Sequence, residues 1–291
     1  VAEGVYDNTK GTFGLRGGVS MYGGFQGGES VRSQRDPEKY VTELQGALTR
    51  FPSVLFHQAN SAGTLDGFTI SWSDVKVVSG TLSISRCQFT HCEVDCLASG
   101  LVNISRCHFS EWPFSDRGGN YHIANCFFEG GSRVYDSSFF TLSNCEVAGS
   151  SVACGDRAAF FNCSLFDCHF TGPLTPFVNC IVEASSVESP LFTNCVLNGI
   201  DGDWDDGGWD DGGGNILADP LFRSQSVGNF RLQAGSPAID KGDATLLPLD
   251  ITDIDSDDDT TELLPLDIAG RARIVGVAMD IGAYEWDGSG P

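Results

Sequence analysis

The chain has 291 residues, with 17 basic and 39 acidic side chains and a net charge of −22. That balance excludes a phosphate-binding surface of clustered Lys and Arg, so nucleic acid is not an expected partner; it favours a divalent cation or plain solubility. With 41% hydrophobic residues, 36 glycines and no run of about 18 apolar residues, the sequence reads as a turn-rich all-β chain without a membrane-spanning segment.

In chain order, residues 1–40 are short strand pieces separated by glycine turns. Strands are expected over 41–48, 53–58 and 64–72, as irregular early coils. Residues 80–200 are regular. Seven cysteines there, Cys87, Cys107, Cys126, Cys145, Cys163, Cys180 and Cys195, recur at steps of 20, 19, 19, 18, 17 and 15 residues. Three residues before each stands a large apolar side chain (Ile84, Ile104, Ile123, Leu142, Phe160, Phe177, Phe192). Two residues after each stands another (Phe89, Phe109, Phe128, Val147, Leu165, Val182, Leu197). Self-similarity at such a period is the signature of a solenoid. The alternation and the abundance of Phe, Val, Ile and Thr make its elements strands, which predicts a parallel β-helix. A coil averaging 18 residues has a perimeter of about 60 Å, which encloses side chains and no channel.

The frame also locates a corner. Ile84 and Cys87 are three apart and both should be buried, yet strand side chains alternate faces, so the alternation must break between them. Asn precedes Cys in five of seven coils and Arg in two. Asn tolerates left-handed backbone, which lets a strand turn sharply, and stacked Asn can hydrogen-bond along the axis. The ladder cysteines read as small buried free thiols. Their odd number argues against a disulfide framework, and the absence of paired C-x-x-C argues against zinc. Off the ladder lie Cys92, Cys96, Cys154 and Cys168; a Cys92–Cys96 bridge at a corner stays open.

Residues 201–215 form the loop D-G-D-W-D-D-G-G-W-D-D-G-G-G-N. Carboxylates beside exposed Trp can bind sugars, which nominates Trp204, Trp209, Asp205 and Asp206; a plain acidic loop is the alternative. Residues 201–291 carry 20 acidic and 5 basic side chains. The expected organisation is a solenoid over 1–200 and an irregular acidic closing segment over 201–291.

The run Asn215-Ile-Leu-Ala-Asp-Pro-Leu-Phe222, then Gly228-Asn-Phe-Arg-Leu-Gln233, Gly235-Ser-Pro-Ala-Ile-Asp240 and Asp280-Ile-Gly-Ala-Tyr-Glu-Trp286, resembles the C-terminal part of secreted bacterial β-helix proteins. These are the choice-of-anchor group, similar to the β-helices of polymorphic outer-membrane proteins. Val1-Ala-Glu-Gly-Val-Tyr6 and Tyr22-Gly-Gly-Phe25 match the same group. The resemblance implies a right-handed β-helix and an extracellular or cell-surface location, and no defined enzymatic activity. Its members usually carry a capping helix upstream of the first motif, where this chain starts. An open coil end is therefore expected at Val1, a template for adding another chain.

Beside the tryptophan loop, two further features stand out. Asp253, Asp255, Asp257, Asp259 and Glu262 alternate in a loop resembling a dockerin- or thrombospondin-type calcium site. Carboxylates converging on a point suit Ca²⁺, which takes six to eight oxygens. Asp258 stands where an EF-hand has glycine, so a standard EF-hand is not expected. Catalysis is not expected either. The four lysines avoid the regular coils, the five histidines share no ladder position, and no nucleophile or phosphate-loop motif occurs. Third, Phe127, Ile181 and Val196, with Phe161 and Val178, should face outward and need cover, from residues 216–240 or from another subunit. The leading expectation is a non-catalytic extracellular structural or surface protein that self-associates, end to end as a filament or laterally. The alternatives are a glycan-binding adhesin module and a polysaccharide lyase or hydrolase.

Overall fold

The computed structural model describes residues 1–8, 11–46, 54–97, 99–110, 114, 118–130, 133–135, 139–153, 158–171, 175–200 and 208–288. Almost all its regular structure is strand. An eleven-stranded parallel sheet runs from Gly4–Asp7 to Ile216–Leu217, and a twelve-stranded parallel sheet spans Phe13–Leu15 to Asp210–Asp211. A third, from Arg133–Tyr135 to Ser186–Val187, closes the later coils. The chain is a parallel β-solenoid, as its period predicts.

The register is the sequence frame made physical. Ile84, Ile104, Ile123, Leu142, Phe160, Phe177 and Phe192 are successive partners in the twelve-stranded sheet. Phe89, Phe109, Phe128, Val147, Leu165, Val182 and Leu197 are successive partners in the other. All are buried. The Phe89–Phe109, Phe109–Phe128 and Phe160–Phe177 ring centroids are 4.6, 4.8 and 4.7 Å apart. Those spacings equal the strand separation, so backbone pairing sets the stack.

Left-handed corners fall where the frame requires them. Arg86, Arg106, Asn125, Asn144, Asn162, Asn179 and Asn194 have φ between 50° and 53°. The corner continues one rung beyond the cysteines at each end. Gly67 (φ 76°) precedes Phe68 below Cys87, and Gly214 (φ 76°) precedes Asn215 above Cys195. Gly67 is also why the strand expected over 64–72 divides into Val54–Asp66 and Thr69–Ser71. A second left-handed corner lies four residues after the ladder cysteine, at His91, Gly130, Gly149, Asp167, Ala184 and Gly199. The strand between the two corners is therefore only three residues long in most coils.

The ladder cysteines are buried free thiols. In most rungs the thiol lies against the carbonyl two residues back, as in Cys87 Sγ to Ser85 O at 3.3 Å. The backbone N–H of Cys87, Cys107, Cys163 and Cys180 points at the sulfur of the next rung, 3.4 Å away. Burial pushes the thiols of Cys87 and Cys107 well up. The possible Cys92–Cys96 bridge is corrected: both are free. Cys92 sits just past the second corner, its thiol 3.0 Å from the Ile70 and Thr90 carbonyls. Cys168 repeats this place in a later coil. Cys154 lies outside the described residues.

The closing segment folds back along the outer face of the eleven-stranded sheet. Ile181 and Val196 are buried beneath Phe222, Phe230, Leu232, Ala238, Ile268, Ile281, Ala283 and Tyr284. Phe127, Phe166 and Ile216 pack at the margin of this cluster. Of the outward apolar patch, Ile181 and Val196 are thus covered by the chain itself, by a stretch that extends well past residue 240, while Phe127, Phe161 and Val178 stay half-buried. Asp210–Asp211 and Ile216–Leu217 still pair with the solenoid; beyond them the paired strands among the described residues are the hairpin of Phe222–Ser224 and Asn229–Leu232. The rest is fastened by the corner asparagines. The Nδ2 groups of Asn125, Asn144, Asn179 and Asn194 donate to the carbonyls of Asp267, Leu266, Asp243 and Lys241. Stacking along the axis occurs as well: Asn194 Nδ2 donates to Asn179 Oδ1 at 2.6 Å. Gly282 (φ +100°) lets the backbone touch the sheet. A Cβ there would lie 2.7 Å from Ile181 Cδ1.

Candidate metal centre

The acidic loop begins at a fully buried residue, Asp250. Its Oδ2 accepts the Ile254 N–H at 2.8 Å, and its own N–H donates to the Glu262 carbonyl at 2.9 Å, which closes the loop. Ile254 is buried with Leu247, Leu264, Met279 and Ala124, so the loop is pinned to the solenoid wall. Within it the carboxylates cap amides two to five residues ahead. Asp253 Oδ1 accepts the N–H groups of Asp257 (3.0 Å) and Asp258 (3.3 Å), and Asp257 Oδ1 accepts that of Asp259 (2.7 Å). Such turns are what Asp does best in place of glycine. Asp253, Ser256 and Asp258 all have positive φ, between 52° and 70°. Asp258 thus adopts the backbone that a glycine would supply at that point of an EF-hand.

Two sets of carboxylates converge. One oxygen from each of Asp250, Asp255 and Glu262 lies within 4.8 Å of the others, and the same holds for Asp253, Asp255 and Asp257. Asp255 is shared. Asp255 Oδ1 and Glu262 Oε1 are shut off from solvent and accept no hydrogen bond. Desolvation, then the charges of Asp255, Asp257, Asp259 and Asp250, pushes Glu262 up. Burial does the same to Asp250, assisted by Asp255 and Asp253. Desolvated carboxylate oxygens facing one another without donors are the arrangement that a cation relieves.

Of the five residues expected at this site, Asp253, Asp255, Asp257 and Glu262 come together. Asp259 does not join either set: its Oδ1 accepts both the N–H and the hydroxyl of Thr261, which holds its carboxyl below the usual range. Sequence reasoning missed Asp250, which lies outside the alternating run. No signal in its Leu249-Asp250-Ile251 context marks it: both apolar neighbours are exposed, and the carboxylate between them turns inward.

The tryptophan loop fares differently. Trp204, Asp205 and Asp206 lie outside the described residues. Trp209 is corrected: it is buried, not exposed, and its ring meets Phe192 edge-on at 5.4 Å, over the last rung of the core. It plugs the end of the solenoid and has no open face for a sugar.

A further group of buried charges holds the closing segment. Arg273 is fully buried; its guanidinium donates to the carbonyls of Asp280 and Gly282 and lies 3.4 Å from Glu285. Asp267 and Asp280 accept backbone N–H groups, including those of Glu285 and Trp286. Burial pushes Glu285 up to about 8. Tyr284 donates to Glu146 Oε2 at 2.6 Å, and burial pushes Glu146 up to about 7. These groups join the segment to the sheet and are closed to substrate.

Comparison with protein-family profiles, with curated proteins and with solved structures returned no match to this chain. The described residues contain no helix long and apolar enough to cross a membrane.

Proposed function

We propose that the chain is a non-catalytic extracellular or cell-surface structural protein, a stiff β-solenoid whose closing segment is locked by Ca²⁺. The observation that carries the cation is the convergence of Asp250, Asp255 and Glu262 around two carboxylate oxygens that have neither solvent nor donor. Asp253 and Asp257 add oxygens from the same side of the loop, a hard, oxygen-only set suited to Ca²⁺. A structural role fits the placement: the loop rests on the solenoid wall through Ile254. The extracellular setting rests on the likeness of the first and last motifs to secreted bacterial β-helix proteins.

Calorimetry on chelator-treated protein tests the cation. A ligand bound at a hundred times its Kd adds about 2.7 kcal/mol, or on the order of 5 °C in a chain of this size. No shift at millimolar Ca²⁺ would remove the reading. End-to-end association by strand pairing between solenoids belongs to the same reading. Electron microscopy decides it: filaments with a strand-spaced repeat support stacking, and monodisperse monomers at all concentrations sink it.

A further inference from the structure

The closing segment leaves one stretch of the corner uncovered, where the ladder residue changes from Asn to Arg. There a groove of about 730 Å³ runs between residues 35–41 on one side and 266–270 on the other. Its floor carries Arg35, Arg86 and Arg106, an unusual concentration of guanidinium in a chain of net charge −22. Arg35 and Arg86 share a single carboxylate, Asp66, at 2.8 and 2.5 Å. Arg106 is exposed; its backbone N–H donates to the Ala124 carbonyl at 3.2 Å, but its guanidinium donates no hydrogen bond and forms no ion pair among the described residues. Asp250, Asp253 and Asp255 act on it only at longer range. The acidic groups of the groove stand at its rim: Asp36, which caps the Lys39 N–H at 3.1 Å, and exposed Glu38.

A second observation points the same way. Asn125 lines the groove and is 3% exposed. Its Nδ2 is committed to the Asp267 carbonyl at 2.8 Å, which fixes the amide's orientation, and its Oδ1 has no donor. A buried carbonyl oxygen without a partner calls for an O–H or N–H from a ligand. A ligand that fills the groove must therefore bring an anion to Arg106 and a donor to Asn125. A bare anion such as a phosphate ester oxygen supplies only the first. A sugar acid supplies both: the carboxylate pairs with the guanidinium fork, and the ring hydroxyls donate. The volume suits two or three sugar rings, and the half-buried Phe127 at the floor offers a ring for their C–H faces.

We infer that this groove binds a carboxylated sugar, with Arg106 as its carboxylate anchor and Asn125 as its hydroxyl acceptor. The inference does not depend on the cation reading. Isothermal titration of the full chain with trigalacturonate tests it, beside the methyl ester of the same trisaccharide, inorganic phosphate and an acetylated Glu-Glu-Glu peptide. Arg106→Gln, at an exposed and unpaired residue, keeps the fold and should weaken trigalacturonate at least about tenfold, the value of one charged hydrogen-bonded pair. Esterification should weaken it by a similar factor, and Arg106→Lys should recover part of the loss, because charge without the planar fork retains only the point attraction. The proposal is overturned if trigalacturonate does not bind at millimolar concentration, if the ester binds equally, or if Arg106→Gln changes nothing. Phosphate or the peptide binding as tightly would also overturn it, because the site would then not select a sugar acid.

Discussion

In the regular coils of the solenoid each core and corner position has equivalents one rung away, and the same contact is made repeatedly. In the closing segment no residue has an equivalent; Arg273, Asp280, Glu285 and Tyr284 each occupy a place of their own. The solenoid satisfies its backbone by strand pairing and its core by stacked Phe, Ile, Leu and Cys. The closing segment, mostly without strands, satisfies its backbone through carboxylates and asparagines that cap individual amides and carbonyls. The two regions should therefore fail differently. Damage to a rung is spread through the stack and changes little with pH, whereas damage to the closing segment is local and depends on protonation.

The largest effect should come from the middle of a stack. Phe109 lies between Phe89 and Phe128 and is completely buried. Phe109→Ala removes a ring from a core that cannot collapse, because backbone pairing fixes the rung spacing; a loss of about 3–5 kcal/mol is expected in chemical denaturation. A markedly smaller loss would mean that the rungs close up, and that the stack is softer than the register implies.

Gly282 gives the opposing case. Gly282→Ala places a methyl 2.7 Å from Ile181 Cδ1 on a backbone with φ near +100°. Strain and overpacking together cost about 2–4 kcal/mol. The expected outcome is local: hydrogen exchange rises across 267–286, while the amides of the eleven-stranded sheet keep their protection. Uniform loss of protection would show that the closing segment and solenoid unfold as one unit.

Protonation separates the regions further. Glu146 and Glu285 are held up to about 7 and about 8 by burial. An acid whose folded pKa lies above its unfolded value binds more protons when folded, so its contribution weakens as pH rises. The closing segment should be firmest near pH 4.5–5 and loosen towards pH 7 for Glu146 and pH 8 for Glu285, by roughly 2–4 kcal/mol in all. Melting in the presence of chelator checks this. Glu146→Gln, which keeps an acceptor for Tyr284, should flatten the lower part of the slope; an unchanged profile would show that Glu146 is not its source.

These contrasts also explain which parts of the structure were legible in the sequence. Repetition made the solenoid readable: a Cys with fixed neighbours on either side revealed strand direction, register and the left-handed Asn corner before any contact was known. The second corner was hidden because His91, Gly130, Asp167 and Ala184 have no chemistry in common; only their spacing from the cysteine unites them. Gly67 and Gly214 extend the first corner without a cysteine to mark it. In the closing segment each interaction occurs once, so periodicity is silent. The alternating aspartates point to converging carboxylates, yet the sequence does not show that Asp250 turns inward or that Asp259 turns away to Thr261. Trp209 looked like a ligand platform because its loop is polar, but burial depends on the open core end it covers.

The smallest effect tests that last distinction. Asp255 belongs to both convergent sets and leaves one oxygen without a donor, whereas Asp259 is occupied by Thr261. Asp255→Asn should abolish the Ca²⁺-dependent rise in melting temperature. It should also raise the stability of the cation-free protein slightly, by about 1 kcal/mol or less, because a like charge leaves a crowded loop. Asp259→Asn should weaken the Thr261 turn slightly and keep the Ca²⁺ response in full. Opposite signs without the cation and opposite responses with it distinguish a cation site from a loop that is merely acidic. If the two variants behave alike, the carboxylates act only through their summed charge, and the convergence at Asp255 has no binding role.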